Sequence, residues 1–516
     1  MNRIKLDHAI AMAIASGEAW DTAEFDAVDI SNVQFSANFY KKRDAIIRKY
    51  SNHRSLNVIK KILIIAATVV LSVLTTGLLT VVAIEPLREN AQAVISEWLE
   101  PKTEETTMNK PQIPPPGISY SSGLAFALSD DETYYTVTGI GSCTDNVIYV
   151  PPTYNDLPVK VIGERAFKPC MADNIFIPEG VERIEKQAFW GCKALYIQLP
   201  ESLTYIGERA FDFCGDIETI HLSDNITFIG ADAFNYCYNL KNVTLPSSLT
   251  SIEQGTFENC FRITEIVIPD NVTYIGQSAF SNCRSLKSVT FGKSVTTIGQ
   301  SAFRSCAELE SVTFSDGVEV IENGAFAMCD KLSSVSFGNR LRSIGNAAFG
   351  FCVQLDSIVV PESVEYLGSD VFIDCTSLKS VDLSKSRITA IKERTFSGCS
   401  NLVSISLPEG ITEIGNIAFS ECRALERISF PDGIESFGDH FIYYCTNLKE
   451  ISIGSGVKKI GMLVPESTPQ LTLIIFGGSE EEWNNVEFAN KIYYSNITVR
   501  FEDHNQETEG TEEQET

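Results

Sequence analysis

Cysteine has the most chemistry to offer in this chain: fourteen thiols in 516 residues, enough for disulfides, metal ligation or nucleophilic catalysis. Their spacing argues against all three. Thirteen of them, from Cys170 to Cys445, recur every 22 to 24 residues, each with a Phe three residues earlier, four in the last copy. Zinc sites and dithiol redox motifs use C-x-x-C pairs, and the sequence has none. If the repeats stack about 4.8 Å apart, neighbouring thiols come within disulfide range, yet side chains pointing the same way would strain the closing dihedral. The column therefore reads as buried thiol, a small apolar side chain with a weak donor that suits a coil interior. Unpaired thiols outside the cytoplasm also fit burial or an anaerobic setting.

The five histidines, His8, His53, His221, His440 and His504, stand on different segments without H-E-x-x-H or Ser/His/Asp context. No phosphate-cradling G-x-x-x-x-G-K-[ST] occurs either, so the chain reads as a non-enzyme with no cofactor and no metal. Aromatic residues make a better candidate site. Trp190, Phe213, Tyr236, Tyr238 and Phe261 flank the A-F-x-x-C phrase in four consecutive repeats, at positions filled later by Arg304, Ser305, Ser397 and Ser420. Pointing outward, they form a strip roughly 15 Å long, suited to stacking on a sugar or anchoring a partner's side chain. Pointing inward, they pack against the neighbouring turn. A second set, Tyr205, Phe228, Tyr274 and Tyr366, precedes the Ile-Gly or Leu-Gly corner and carries the same two readings. Outward strand positions such as Thr244, Thr290, Thr313, Ser336, Ser406, Ser429 and Ser452 read as a solvated ladder.

All of these residues are positioned by one repeating unit, written at Ala279 to Phe303 as AFSNCRSLKSVTFGKSVTTIGQSAF. Its apolar positions Leu286, Val289, Phe291, Val295, Ile298, Ala302 and Phe303 recur in register, the signature of a solenoid. Leu286 to Phe291 alternates as a short strand, Val295 and Ile298 make a second inward pair, and GQSAFRSC is expected to form one helical turn or a 3₁₀ segment. Ordering a 23-residue coil costs about 1.5 kcal/mol per residue, and seven buried side chains return about 1.5 to 3 kcal/mol each. No coil stands alone, so stacking is obligatory. The expected architecture is a repeat solenoid of about 13 coils over residues 163–462, with an N-terminal cap at 118–162 and a C-terminal cap at 463–502. Residues 503–516 read as a disordered acidic tail.

A net charge of −26 argues against a nucleic-acid partner, which would need a basic face. The charge is uneven: residues 1–61 hold ten Lys/Arg against seven Asp/Glu, leaving −29 for the remainder. From Ile62 to Ile84 run 23 uncharged residues, long enough at about 1.5 Å each to cross a hydrocarbon core of roughly 30 Å. Basic residues crowd the N-terminal flank and Glu85, Glu89, Glu97 and Glu100 the other. By the positive-inside rule, 1–61 is a cytoplasmic segment, 62–84 a single transmembrane helix, and the repeats lie outside. Residues 85–117 are expected to form an amphipathic stalk helix and a Pro-rich spacer.

The consensus L-x-x-I-x-(L/F)-P-x-x-(V/I)-x-x-I-G-x-x-A-F-x-x-C resembles the BspA-like leucine-rich repeat of microbial surface proteins, over about residues 135 to 500. That resemblance implies a right-handed solenoid displayed outside the cell, with adhesion to host or matrix proteins in some members and no catalytic residues to transfer. At the front, FSANFYKKRDAIIRKY, the apolar run and AIEPLREN are similar to the N-terminal module of bacterial membrane proteins with anti-sigma-factor-like organisation. The leading expectation is a membrane-anchored bacterial surface protein whose solenoid binds an extracellular protein or polysaccharide. The alternative is a transmembrane sensor in which Phe39, Lys41, Lys42, Arg43, Arg48 and Lys49 contact a cytoplasmic regulatory partner. A purely architectural envelope protein is the third.

Overall fold

The computed structural model describes residues 114, 119–489 and 497–502. The expected cytoplasmic segment, membrane span, acidic tail and nearly all of the stalk lie outside the described residues. Among the described residues no helix is long and apolar enough to cross a membrane.

Most coils carry two short strands, which pair in parallel with their counterparts in a neighbouring coil. Ser288–Thr290 lies on Glu265–Val267, with Val289 opposite Ile266 facing inward and Ser288 and Thr290 exposed. Thr297–Ile298 sits between Tyr274–Ile275 and Val320–Ile321, burying its Ile. The β-branched residues at these sites suit a pleated, half-buried surface. Between the strands, the twelve Phe side chains from Phe167 to Phe419 form a fully buried column. Consecutive rings stack with centroids 4.9 to 6.0 Å apart.

The corner rungs, from Tyr135–Gly139 to Glu487–Phe488, number sixteen rather than the expected thirteen. Turns at both ends keep the ladder while losing the A-F-x-x-C phrase, which is why the phrase undercounts them. In the last phrase the extra residue is absorbed by substitution: the Phe419 amide donates to the Phe441 carbonyl, as Phe396 does to Ala418, so Phe441 takes the Ala site. Ile442 then occupies the Phe position, three residues before Cys445. At the N-terminal side Ala125–Leu128 pairs antiparallel with Tyr135–Gly139. At the other side a short helix, Glu480–Asn484, opens with a Ser479/Glu482 capping box and sets Trp483 against Phe476 and Phe488.

The expected helical turn is replaced by a chain of tight turns. In GQSAFRSC the amides of Ala302, Arg304 and Cys306 donate back to Gly299, Ser301 and Phe303. Those of Ser301, Phe303 and Ser305 instead donate forward to Asn323, Ala325 and Ala327 of the next coil, at 2.8 to 2.9 Å. This alternation requires left-handed backbone at two residues per coil, here Ser301 at φ 56° and Ser305 at φ 59°. A right-handed helical turn cannot contain them. All six amides from Ser301 to Cys306 are thereby satisfied, three of them by the next coil, which ties the turn edge to the stack.

Candidate functional site: an aromatic ladder on the turn edge

The second left-handed position is the residue before each Cys. Gly191, Asn259, Asn282 and Gly398 occupy it, as left-handed geometry favours, but so do Phe213 at φ 61° and Tyr236 at φ 57°. A side chain there costs about 1–2 kcal/mol of backbone strain, and bulky residues are uncommon in this conformation. Both are exposed, Phe213 by 45% and Tyr236 by 38%. Their rings stack at 4.6 Å with 10° between planes, and Trp190 meets Phe213 edge-on at 5.8 Å. The Lys168 ammonium sits 3.7 Å above the Trp190 ring.

The structure thus brings three of the five predicted aromatics into one ladder. Tyr238 and Phe261 stand beyond the buried Cys237 and Cys260, one step further along the coil. Tyr238 lies over Gly215, where a β-carbon would come within 2.2 Å of the phenol ring, so Gly215 makes room for it. Phe261 is covered by the Arg284 guanidinium at 5.0 Å. In the second set, Tyr205 and Phe228 are stacked at 5.2 Å on the corner ladder, with Arg183 3.8 Å over Tyr205. Ser251 separates Tyr274 from them, and Tyr366 stands four rungs beyond Tyr274. Phe39, Lys41, Lys42, Arg43, Arg48 and Lys49, expected to contact a cytoplasmic partner, lie outside the described residues.

Beneath the ladder sits Asp212, only 4% exposed, with one carboxyl oxygen lacking any hydrogen-bond partner. Burial pushes its pKa up to about 6, further raised by Asp232 and opposed by Arg209 and by the Trp190 indole, which donates to the carboxylate. Burial and Asp232 also raise Glu258 in the next coil but one. Sequence reasoning passed over Asp212, Lys168 and Arg284. The signal for Asp212 was an acid set between two Phe residues in AFDFC.

All fourteen cysteines are free, and the thirteen of the column are buried. From Cys214 to Cys445 each thiol donates to the carbonyl of the Phe in the preceding coil, at 3.0 to 3.3 Å. Burial raises their pKa values, to about 12 for Cys352 and Cys445. Neutral, hydrogen-bonded thiols are poor nucleophiles. No group of His, Cys, Asp and Glu arranged to hold a metal occurs among the described residues. A small cavity at the C-terminal end, lined by His440, Tyr443, Ser467 and Leu471, falls where the Phe–Cys phrase stops.

The family model for the BspA type leucine rich repeat region matches in six copies across residues 160–287, 250–379 and 368–495. No curated protein matches the chain. Among solved structures, a leucine-rich repeat protein from Bacteroides ovatus ATCC 8483 is 25% identical, with 74% of this chain and 99% of that chain covered at a TM-score of 0.56. A leucine rich cell surface protein from Faecalibacterium prausnitzii A2-165 is 24% identical, covering 72% and 98% at 0.41. The pneumococcal vaccine antigen PcpA is 19% identical, covering 75% and 98% at 0.37. Only the first superposes well enough to bear on the fold. The family is one of repeat proteins that suggests ligand binding or surface interaction and indicates no catalytic chemistry. Repeat by repeat and across most of its length, the chain belongs to the BspA-type leucine-rich repeat proteins.

Proposed function

We propose that this protein is a membrane-anchored bacterial surface protein whose solenoid captures a protein or polysaccharide ligand through the ladder of Trp190, Phe213 and Tyr236. The carrying observation is that Phe213 and Tyr236 occupy strained left-handed positions in adjacent coils, stay exposed and stack on each other, where Gly or Asn would fit without strain; Phe351 and Tyr444, exposed at the same position, stack on no ring of a neighbouring coil among the described residues. Large rigid rings at such a site supply contact area at low entropy cost, as binding hot spots do. Anchoring rests on the uncharged run Ile62–Ile84 and its basic flank, with the N-terminus cytoplasmic and the repeats outside. The ligand test is a pull-down with the full-length chain against envelope polysaccharides and host matrix proteins, beside the W190A/Y236A variant. Capture is lost in that variant while its melting curve matches the parent; loss of folding instead favours a packing role. Deleting residues 1–50 leaves capture intact, whereas loss of a transcriptional response in that deletion supports the sensor reading, whose basis is the basic segment from Phe39 to Lys49.

A further inference from the structure

The ladder's geometry narrows what it can hold. Phe213 and Tyr236 each cover one face of the other, Lys168 covers one face of Trp190, and beside the ladder Arg284 covers one face of Phe261, so few ring faces are left open for stacking on a sugar. Ring rims make up much of what a partner meets. An aromatic ring is negative on its face and positive at its edge, so a surface of rims favours acceptors and anions. The two cations reinforce that sign at either end of the aromatic set, with the buried Asp212 opposing them between. Elsewhere on the coils most cations are paired from rung to rung, as in Lys186–Glu208 and Lys331–Glu308 at 2.8 Å. Among the described residues Lys168 and Arg284, like Arg262, Lys287, Arg304, Lys385 and Lys392, form no ion pair, and these two lie over rings, in a chain of net charge −26. Met171, three residues after Lys168 in the chain, is an apolar side chain 75% exposed.

We propose that this strip docks an extended, acidic and apolar protein segment, its apolar side chains on the ring rims and its carboxylates on Lys168 and Arg284. The inference rests on the surface-binding reading above and names the partner's chemistry. Five coil steps separate the two residues and three separate the rings under their charged ends, about 14 to 24 Å at strand spacing. An extended chain spans that distance in about four to seven residues. The docked segment therefore carries its acidic groups about four to seven residues apart, on either side of an apolar stretch.

Panning a phage-displayed library of random dodecapeptides on the full-length chain, with the W190A/F213A/Y236A chain as counter-selection, reads this preference directly. Enriched peptides carry Asp or Glu on both sides of apolar residues, bind the K168A/R284A chain about tenfold more weakly, and weaken further as salt is raised. Enrichment of basic or uncharged peptides, equal binding to K168A/R284A, no enrichment over the counter-selected chain, or retention of polygalacturonate in place of peptides overturns the proposal. Matching melting curves for both variants keep a folding defect from passing as lost binding. If the pull-down ligand is lost in W190A/Y236A but kept in K168A/R284A, the capture reading stands and the acidic partner falls.

Discussion

From Ala166 to Phe261 the residue before the Cys is aromatic in two adjacent coils, and surface rings stack on one another. From Arg284 to Glu421 the same position holds Ser305, Asp374, Gly398 and Glu421, with Met328 and Phe351 the bulky exceptions. No ring stacks on Phe351 among the described residues. The strand face changes with the edge. Every coil from Glu265 to Ser429 contributes a three-residue strand there, whereas the coils of Thr219 and Asn242 share a single bridge. Yet the interior is the same in both stretches: Phe211 and Phe280 are equally buried, and Cys214 and Cys283 make the same bond to the coil before. The core therefore does not require the aromatic edge. Specialisation is carried by positions that face solvent, at a cost in local strain.

The largest test of that comparison is the core itself. Phe211→Ala and Phe280→Ala should each cost about 3–5 kcal/mol, since both remove a fully buried ring from a stacked column. Urea melts should place them within about 1 kcal/mol of each other. A much milder Phe211→Ala would mean that the N-terminal coils are already loosely packed, and the contrast would then be one of core rather than edge.

Next in size is Asp212, which has no counterpart in the central coils. Its folded pKa of about 6 lies above the ordinary carboxylate value, so the folded chain binds the proton more tightly than the unfolded chain. The resulting stabilisation is complete below about pH 4 and is lost as pH rises through 6. Between pH 7.5 and 5 it amounts to about 1–2 kcal/mol, allowing for the part of the carboxyl that still senses solvent. Asp212→Asn should flatten that part of the stability profile, leaving the contributions of Glu258 and Asp374, which are shifted the same way. Trp190 emission should follow the same titration, because its indole donates to Asp212.

Cysteine is common to both regions and should not distinguish them. Cys306→Ala removes a buried donor to the Phe280 carbonyl and should cost about 1 kcal/mol, as should Cys237→Ala beneath the ladder. Native protein should leave the column unmodified by thiol reagents, with half-buried Cys143 reacting first. This much was legible in the sequence, because a residue type recurring at a fixed offset from Phe has one place to go in a stack. The left-handed turns were not. Their positions hold Arg165, Gln187, Arg209 and even Ile417 at φ 57°, with no run of Gly to announce them. Hydrogen bonds to the next coil hold them there, a tertiary cause invisible in any single repeat. For the same reason the five aromatics read as one set: Tyr236 and Tyr238 are neighbours in sequence, but the buried Cys237 between them puts the two rings in different columns.

The finest test exchanges the two edges. Tyr236→Asn relieves left-handed strain of about 1–2 kcal/mol and gives up aromatic stacking of about 0.5–1.5 kcal/mol, so net stability should move by less than about 1 kcal/mol. The reciprocal Asn282→Tyr adds the strain without a ring to stack on, because Asn259 precedes it and Ser305 follows, and should destabilise by about 1 kcal/mol. Capture should fall with Tyr236→Asn and stay unchanged with Asn282→Tyr. A packing role for the ladder predicts the opposite for the first variant, lost stability with capture declining only in proportion to unfolding. A stable Tyr236→Asn chain that no longer holds its ligand would separate the two roles, because backbone relief and loss of the ring act on folding with opposite signs while only the ring acts on binding.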